Sequence, residues 1–231
     1  MSPKRIVLIV EGEGDVESAP VITSRLIEEC SHNAWGNVFI DSEPIRIGDV
    51  TKVVKDDYKE WRRKLGVCRR RKNLGGVLLL LDGDIRKVGG AEFCAVTVAR
   101  DLALEAKKTG AGEDFSVCVT FARQEFETWG IASCKSLSGL TFADGLQLKP
   151  DLAVPNKSLE EAPRNAKKWI TSNMVSGTYS ETRHQKDIAR NLDFEEIRSN
   201  GIRSFVRFEN SITQLLCAIE NNEHVSTPTS V

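Results

Sequence analysis

Glu11, Asp15, Asp82 and Asp84 are the residues whose type and spacing point most directly to chemistry. Glu11 and Asp15 lie in I-V-L-I-V-E-G-E-G-D, from Ile6 to Asp15; Asp82 and Asp84 end V-L-L-L-L-D-G-D, from Val77 to Asp84. Each stretch is a short aliphatic run without alternation, stopped by glycine and carboxylates. A strand buried on both faces of a parallel sheet reads this way. In open parallel sheets chemistry collects at the carboxyl ends of the strands. If these two strands are neighbours, four carboxylates converge at one sheet edge. Such a cluster needs a counter-charge, and a hard divalent cation, Mg²⁺ or Mn²⁺, can supply it. The chemistry expected is metal-assisted work on a phosphate.

The outer carboxylates of D-G-D are expected on one side of an extended segment, so Asp82 and Asp84 can share an ion. Glu11, from the neighbouring strand, completes the site or acts as general base. Gly12 and Gly14 are expected to let a phosphate approach the backbone. Either stretch alone has a plainer account, because carboxylates end strands and Asp15 can cap a helix. The two together in one chain favour the functional reading.

These strands must sit in a domain large enough to bury them. The chain has 231 residues and is 40% hydrophobic, enough for one large domain, or one domain with an appendage. A formal net charge of −1 gives no global pull toward nucleic acid and leaves local patches to decide. No apolar stretch approaches the ~20 residues of a membrane span. Met-Ser-Pro-Lys-Arg leads straight into the first strand without a signal-peptide pattern, so a cytoplasmic location and no membrane partner are expected. The six cysteines form no Cys-x-x-Cys pair, and with only His32, His184 and His224 beside them a zinc site is not expected.

Along the chain, helices are predicted over Val16–Cys30, Thr51–Lys64, Ala91–Lys108 and Gln124–Ala132. Short strands are predicted at Asn37–Ile40 and Ile45–Ile47, and a third long strand at Phe115–Phe121. This order predicts an α/β layered sheet. From Ser136 to Pro163, Gly, Pro, Asp and Ser become frequent, as in a long loop or inserted element. Helices follow at Ala166–Met174, Gln185–Leu192, Glu195–Asn200 and Asn210–Asn221. The expected division is a catalytic core over 1–135, a loop-rich and helical C-terminal extension over 136–222, and a flexible tail over 223–231.

The pairing of Glu11-Gly12-x-x-Asp15 with Asp82-x-Asp84 resembles the TOPRIM domain of topoisomerases, bacterial primases, small RNA-maturation nucleases and OLD (overcoming lysogenization defect) nucleases. The resemblance covers roughly Lys4 to Ser133. It implies a Rossmann-like parallel sheet flanked by helices. It also implies acid/base and metal roles for the Glu and the Asp-x-Asp in phosphodiester chemistry. More narrowly, V-E-G-E-G-D, L-L-L-L-D-G-D, F-A-R-Q-E-F-E-T-W, N-A-K-K-W-I, Y-S-E-T-R-H-Q and S-F-V-R-F resemble small stand-alone OLD-like TOPRIM proteins of bacterial anti-phage defence loci. That resemblance implies a partner ATPase of the AAA or ABC type.

Glu125 and Glu127 follow the third long strand, which would place them beside the first cluster; a helix N-terminus also favours Glu through its dipole. The OLD-like resemblance makes Glu127, with Glu125, the candidate for a second metal, and Lys167 the candidate for stabilising phosphate charge. Lys167, Lys168 and Lys186 are equally readable as solvated lysines. Trp129 reads as core. Tyr179 and Gln185 are candidates for packing the extension onto the site. Arg62, Arg63, Lys64, Arg69, Arg70, Arg71 and Lys72 form a basic block that either contacts phosphates or keeps a helix end soluble.

A metal-dependent nuclease acting on DNA or RNA is the first functional reading. The second is a non-catalytic TOPRIM-like module docked on an ATPase. A haloacid-dehalogenase-like phosphatase ranks third, because its Asp-x-Asp follows the first strand and precedes Gly-Thr or Gly-Val, whereas Ile85-Arg86 follow here. No G-x-x-x-x-G-K-[ST] occurs, so any ATP dependence is expected from a partner.

Overall fold

The computed structural model describes residues 2–30, 38–155, 158–161 and 165–229. His32, Asn37 at the start of an expected strand, Pro163 at the end of the expected loop and Ser230–Val231 of the expected tail lie outside the described residues. The elements in chain order are β1 (Lys4–Val10), α1 (Glu13–Cys30), β2 (Val38–Ile40), β3 (Ile45–Arg46), α2 (Val50–Arg69), β4 (Leu74–Asp82), β5 (Lys87–Val88), β6 (Ala91–Glu92), α3 (Ala95–Lys107), β7 (Ser116–Ala122), α4 (Glu127–Ala132), α5 (Ala166–Ser172), α6 (Glu181–Asn191), α7 (Phe194–Ser199), α8 (Arg203–Glu220) and β8 (Ser226–Thr227).

All pairings of the main sheet are parallel, in the order β2-β1-β4-β7-β8, with β3 sharing the outer edge of β1 with β2. The aliphatic runs of β1 and β4 pair directly, Val7 to Val77 through Val10 to Leu80. Their alternate side chains enter two cores. Ile6, Leu8, Val10, Leu78 and Leu80 pack against α1 and α8; Val7, Ile9, Val77, Leu79 and Leu81 pack against α2 and α3. Burial on both faces explains why these strands lack polar alternation. The chain leaves β1 toward β2 and β3 on one side, then returns through α2 to β4 on the other. The carboxyl ends of β1 and β4 therefore form the topological switch point, where open α/β sheets bind ligands.

Three expectations differ from the structure for local reasons. The helix expected from Ala91 begins at Ala95, because Gly89 and Gly90 (φ 59° and 87°) form a tight hairpin turn that pairs β5 with β6. The tail expected to be flexible from 223 instead contributes β8, with Val117 facing Ser226 and Cys118 facing Thr227. α8 starts at Arg203, well before the expected Asn210. Phe205 and Phe208 continue the buried stripe of Ile212, Leu215 and Leu216 upstream.

The extension expected over 136–222 shares the first core rather than building one of its own. Phe205 and Phe208 pack edge-on or tilted against Trp129, whose indole N–H donates to Ser204 Oγ at 3.0 Å. Phe205→Ala is predicted to cost about 3–5 kcal/mol while unfolding stays a single transition. Urea unfolding followed by circular dichroism checks this. Two separate transitions would instead show that residues 136–222 fold as an independent unit.

Candidate active site

β1 ends at Val10, which delivers Glu11 to the switch point, and β4 ends at Asp82 beside it. The Asp82 backbone N–H donates to Glu11 Oε2 at 3.1 Å, tying the two strand ends together. The Gly12 N–H donates to Asp15 Oδ2 at 2.9 Å, so Asp15 folds back over the turn from the first turn of α1. After β7, Gln124 takes a left-handed φ of 66° and turns the chain back. That turn lets the Phe126 N–H donate to Asp82 Oδ1 at 3.0 Å and sends Glu127 into the interior, where it is fully buried.

The extension supplies the remaining groups. Tyr179 O–H donates to Glu127 Oε1 at 2.8 Å, and Gln185 Nε2 donates to Asp15 Oδ1 at 3.0 Å. Lys167 Nζ lies 2.6 Å from Glu181 Oε2 and 3.9 Å from Glu125 Oε1. Glu127 Oε2 is buried and has no hydrogen-bond partner among the described residues.

Desolvation dominates the electrostatics. Burial pushes the Glu11 carboxyl up to about 7, against the Asp82 N–H, and the Asp15 and Asp49 charges push the same way. Burial likewise pushes Glu127 up to about 7, opposed by Lys167 and Tyr179. Asp82 is held well above the usual carboxylate range by burial and by its neighbours Asp15, Glu127 and Glu11. Asp15 is raised by burial against its hydrogen bonds from Gly12 and Gln185. Lys167 is the cation that opposes all four. Burial works against its charge, but Glu127, Glu181 and Asp82 hold its ammonium above the ordinary lysine value.

The structure thus brings together Glu11, Asp15, Asp82, Glu127 and Lys167, with Glu125 at the margin on Lys167. Asp84 lies beyond β4, which ends at Asp82, so strand alternation does not extend to it, and its side chain is exposed. Gly14 is not an open phosphate cradle either. A Cβ there would lie 2.1 Å from Gln185 Oε1, so this glycine serves the close approach of α6. Gly12 stays open on that side, with only Asp15 Oδ2 at 3.5 Å.

The basic block lies elsewhere. Arg69–Lys72 precede β4, at the amino end of a nine-residue strand whose far end carries Asp82, about 30 Å away at ~3.3 Å per residue. Arg62 pairs with Glu105 and Asp57, Arg63 and Lys64 with Glu60, Arg69 with Asp114 and Arg71 with Asp41. Arg70 and Lys72 alone in the block have no ion pair among the described residues. Glu181, by contrast, was not singled out from the sequence. Its signal was there: Glu181 and Gln185 lie one turn apart on α6, on a shared face.

The donor set fits a hard divalent cation. Every donor is a carboxylate oxygen, and Glu127 Oε2 is a buried acceptor with no partner among the described residues. As the side chains lie, no group of three or more His, Cys, Asp or Glu among the described residues is arranged as a ready cage. Ion binding therefore requires the carboxylates to turn from their N–H donors and from Lys167.

A family model described as a domain of unknown function (DUF4276) matches residues 10–213. The chain belongs to the DUF4276 family. The match runs from Val10, just before Glu11, past Lys167, Tyr179 and Gln185. No curated protein and no solved structure matches the chain. No helix among the described residues is long and apolar enough to cross a membrane.

Glu11 and Glu127 bind protons more tightly in the folded chain than at their ordinary value of 4.5. Their contribution to stability is complete below that value and is lost as pH rises through about 7. In EDTA the melting temperature is predicted to fall between pH 5 and pH 8 by roughly 3 °C or more. Mn²⁺ is predicted to restore it at pH 8 and to do little at pH 5, and Glu127→Gln to flatten the decline. Scanning calorimetry at both pH values, with and without the ion, checks the sign.

Proposed function

We propose that this protein is a metal-dependent nuclease that hydrolyses phosphodiesters of DNA or RNA at the β1–β4 switch point. The observation that carries the reading is the convergence at that point of the half-buried Glu11 and Asp82, the buried Asp15 and Glu127, and one half-buried lysine, Lys167. Burying like charges side by side is costly. Strongly shifted carboxylates at a sheet's ligand-binding edge are a recognised sign of a working site. The TOPRIM-like pairing of Glu11 with Asp82 supports the same chemistry.

In this reading Asp82 and Glu127 would hold Mg²⁺ or Mn²⁺, with Glu11 beside them as the general base. When bound, the ion supplies Lewis-acid neutralisation of a phosphoryl oxygen. The protein's own groups do the rest. Glu11, poised near 7, takes a proton from the attacking water as its oxygen bonds to phosphorus. Lys167 faces the negative charge that grows on the phosphoryl oxygens while the bond to the leaving oxygen breaks. Tyr179 and Gln185 hold Glu127 and Asp15 in orientation. Restraint of such an enzyme in the cell would fall to a partner ATPase of the AAA or ABC type, within an anti-phage defence system. That part of the proposal rests on the OLD-like resemblance of the sequence motifs.

One observation favours a second reading. Lys167 already opposes every carboxylate of the cluster, so the cluster can exist as a self-neutralised structural core. The protein would then be a non-catalytic TOPRIM-like subunit docked on an ATPase.

Cleavage of plasmid, single-stranded DNA and total RNA with Mg²⁺, Mn²⁺ or EDTA separates the two. The nuclease reading predicts metal-dependent cleavage reduced at least about 10²-fold in Glu11→Ala and in Asp82→Ala, and about 10²–10³-fold in Lys167→Ala. Asp84→Ala is predicted to be milder than Asp82→Ala. Cleavage that survives Glu11→Ala and Asp82→Ala, or no cleavage even with the partner ATPase and ATP present, would overturn it.

A further inference from the structure

The charged residues on the β3 side of the site include only Arg63 and Lys64 of the basic block. The turn from β3 into α2 runs beside β1: the Ile47 N–H donates to the Val10 carbonyl at 2.9 Å, and the Gly48 N–H to the Glu11 carbonyl at 3.2 Å. Arg46, at the end of β3, pairs with Glu13 at 2.6 Å, two residues past Glu11. A cleft of about 580 Å³ opens from this turn along the first half of α2. Its cations are Arg46, Lys52, Lys55, Lys59, Arg63 and Lys64, against the carboxylates of Asp56 and Glu60.

The backbone of α2 shapes this cleft. At Lys55 the chain becomes extended (ψ 154°), and Asp56, Asp57 and Tyr58 take left-handed φ values of 50°, 53° and 58°. The helix is thus broken between Lys52 and Lys59, and both halves face the cleft.

Charge accounting then separates the cations. Arg46 is committed to Glu13, and Arg63 and Lys64 to Glu60. Lys52, Lys55 and Lys59 are exposed and have no ion pair among the described residues. Folding leaves these three ammonium groups unneutralised on a concave surface, on the side of the sheet edge that carries Glu11. Of the basic block, Arg63 and Lys64 line this cleft but are paired with Glu60, and Arg69–Lys72 lie at the other end of β4. Unneutralised cations in a cleft are what a phosphate backbone requires, and its counterion release rewards them.

We propose that this cleft seats the phosphate backbone of a nucleic-acid strand entering the carboxylate site, with Lys52, Lys55 and Lys59 as the phosphate-contacting groups. The proposal rests on the nuclease reading for what lies at the end of the cleft, and not for the binding itself. It places the track along β3 and the first half of α2 rather than on Arg69–Lys72.

The test is fluorescence anisotropy in EDTA, where cleavage cannot intervene. Labelled single-stranded DNA, single-stranded RNA and duplex DNA are titrated at several salt concentrations. The variants are Lys52→Gln/Lys55→Gln/Lys59→Gln and, as the competing surface, Arg70→Gln/Lys72→Gln. Lys55→Gln alone serves if the triple variant melts early. The triple variant is expected to flatten the slope of log affinity against log salt by about 2–3, and Lys55→Gln by about 0.7–0.9. Arg70→Gln/Lys72→Gln is expected to leave it unchanged. The probe bound most tightly at a given salt concentration identifies DNA or RNA, single or double strand. Wild-type slope in the triple variant, a greater loss in Arg70→Gln/Lys72→Gln, or no binding by wild type to any probe would each overturn the proposal. Binding lost in the triple variant while wild type never cleaves would keep the track and remove the nuclease.

Discussion

Like charges that are buried together must be held by something, and in this protein that requirement links the sheet to everything C-terminal of it. Glu11 and Asp82 are brought together by the pairing of β1 with β4, and Glu127 by the turn after β7. Each brings a negative charge into a region where water cannot screen it well. Backbone N–H groups of Gly12, Asp82 and Phe126 hold one oxygen of Asp15, Glu11 and Asp82 respectively. Those donors come from the strand ends themselves. The positive charge does not: it comes from Lys167, at the start of α5.

Because the counter-charge and the orienting groups Tyr179 and Gln185 lie in the extension, that extension has to close onto the sheet. The shared core does this work. Trp129 follows Glu127 by two residues and is buried against Phe126, Phe205 and Phe208. The helix that begins with Glu127 is thereby fixed against α8. Gly14 lets α6 come close enough for Gln185 to reach Asp15. Packing and electrostatics therefore act on the same elements. Loosening the aromatic cluster would free the helix that carries Glu127.

Away from the site, charge pairing sorts cations that look alike in the chain. Arg62 reaches Glu105 on α3, Arg69 reaches Asp114 before β7, and Arg71 reaches Asp41 after β2. Asp41 illustrates the balance. Burial opposes its charge, yet Arg5, the Glu43 N–H and Arg71 hold it below the usual carboxylate range. Cations engaged this way join neighbouring elements of the fold. Lysines that find no such partner are left to face whatever enters the molecule's concave surfaces.

The α/β class, the two central strands and the positions of Glu11, Asp15 and Asp82 were legible in the chain, because unalternated aliphatic runs need burial on two faces wherever they occur. The capacity of Glu127 and Lys167 to reach the same place was suggested by motif resemblance and not by spacing. The direction of Asp84 was not legible, because alternation holds only while a strand lasts and β4 stops at Asp82. β8 escaped notice because two residues pairing with a distant edge have no periodicity of their own. The basic block left phosphate contact and a solvated helix end both open, because local sequence counts charges and cannot count their partners. Asp41, Glu105 and Asp114 are far from it in the chain and beside it in space. The sequence by itself determined which residues must be buried and where strands must end in carboxylates, since those follow from short-range pattern. Only the tertiary structure decided which charges neutralise each other, because that depends on contacts between segments that the chain order keeps apart.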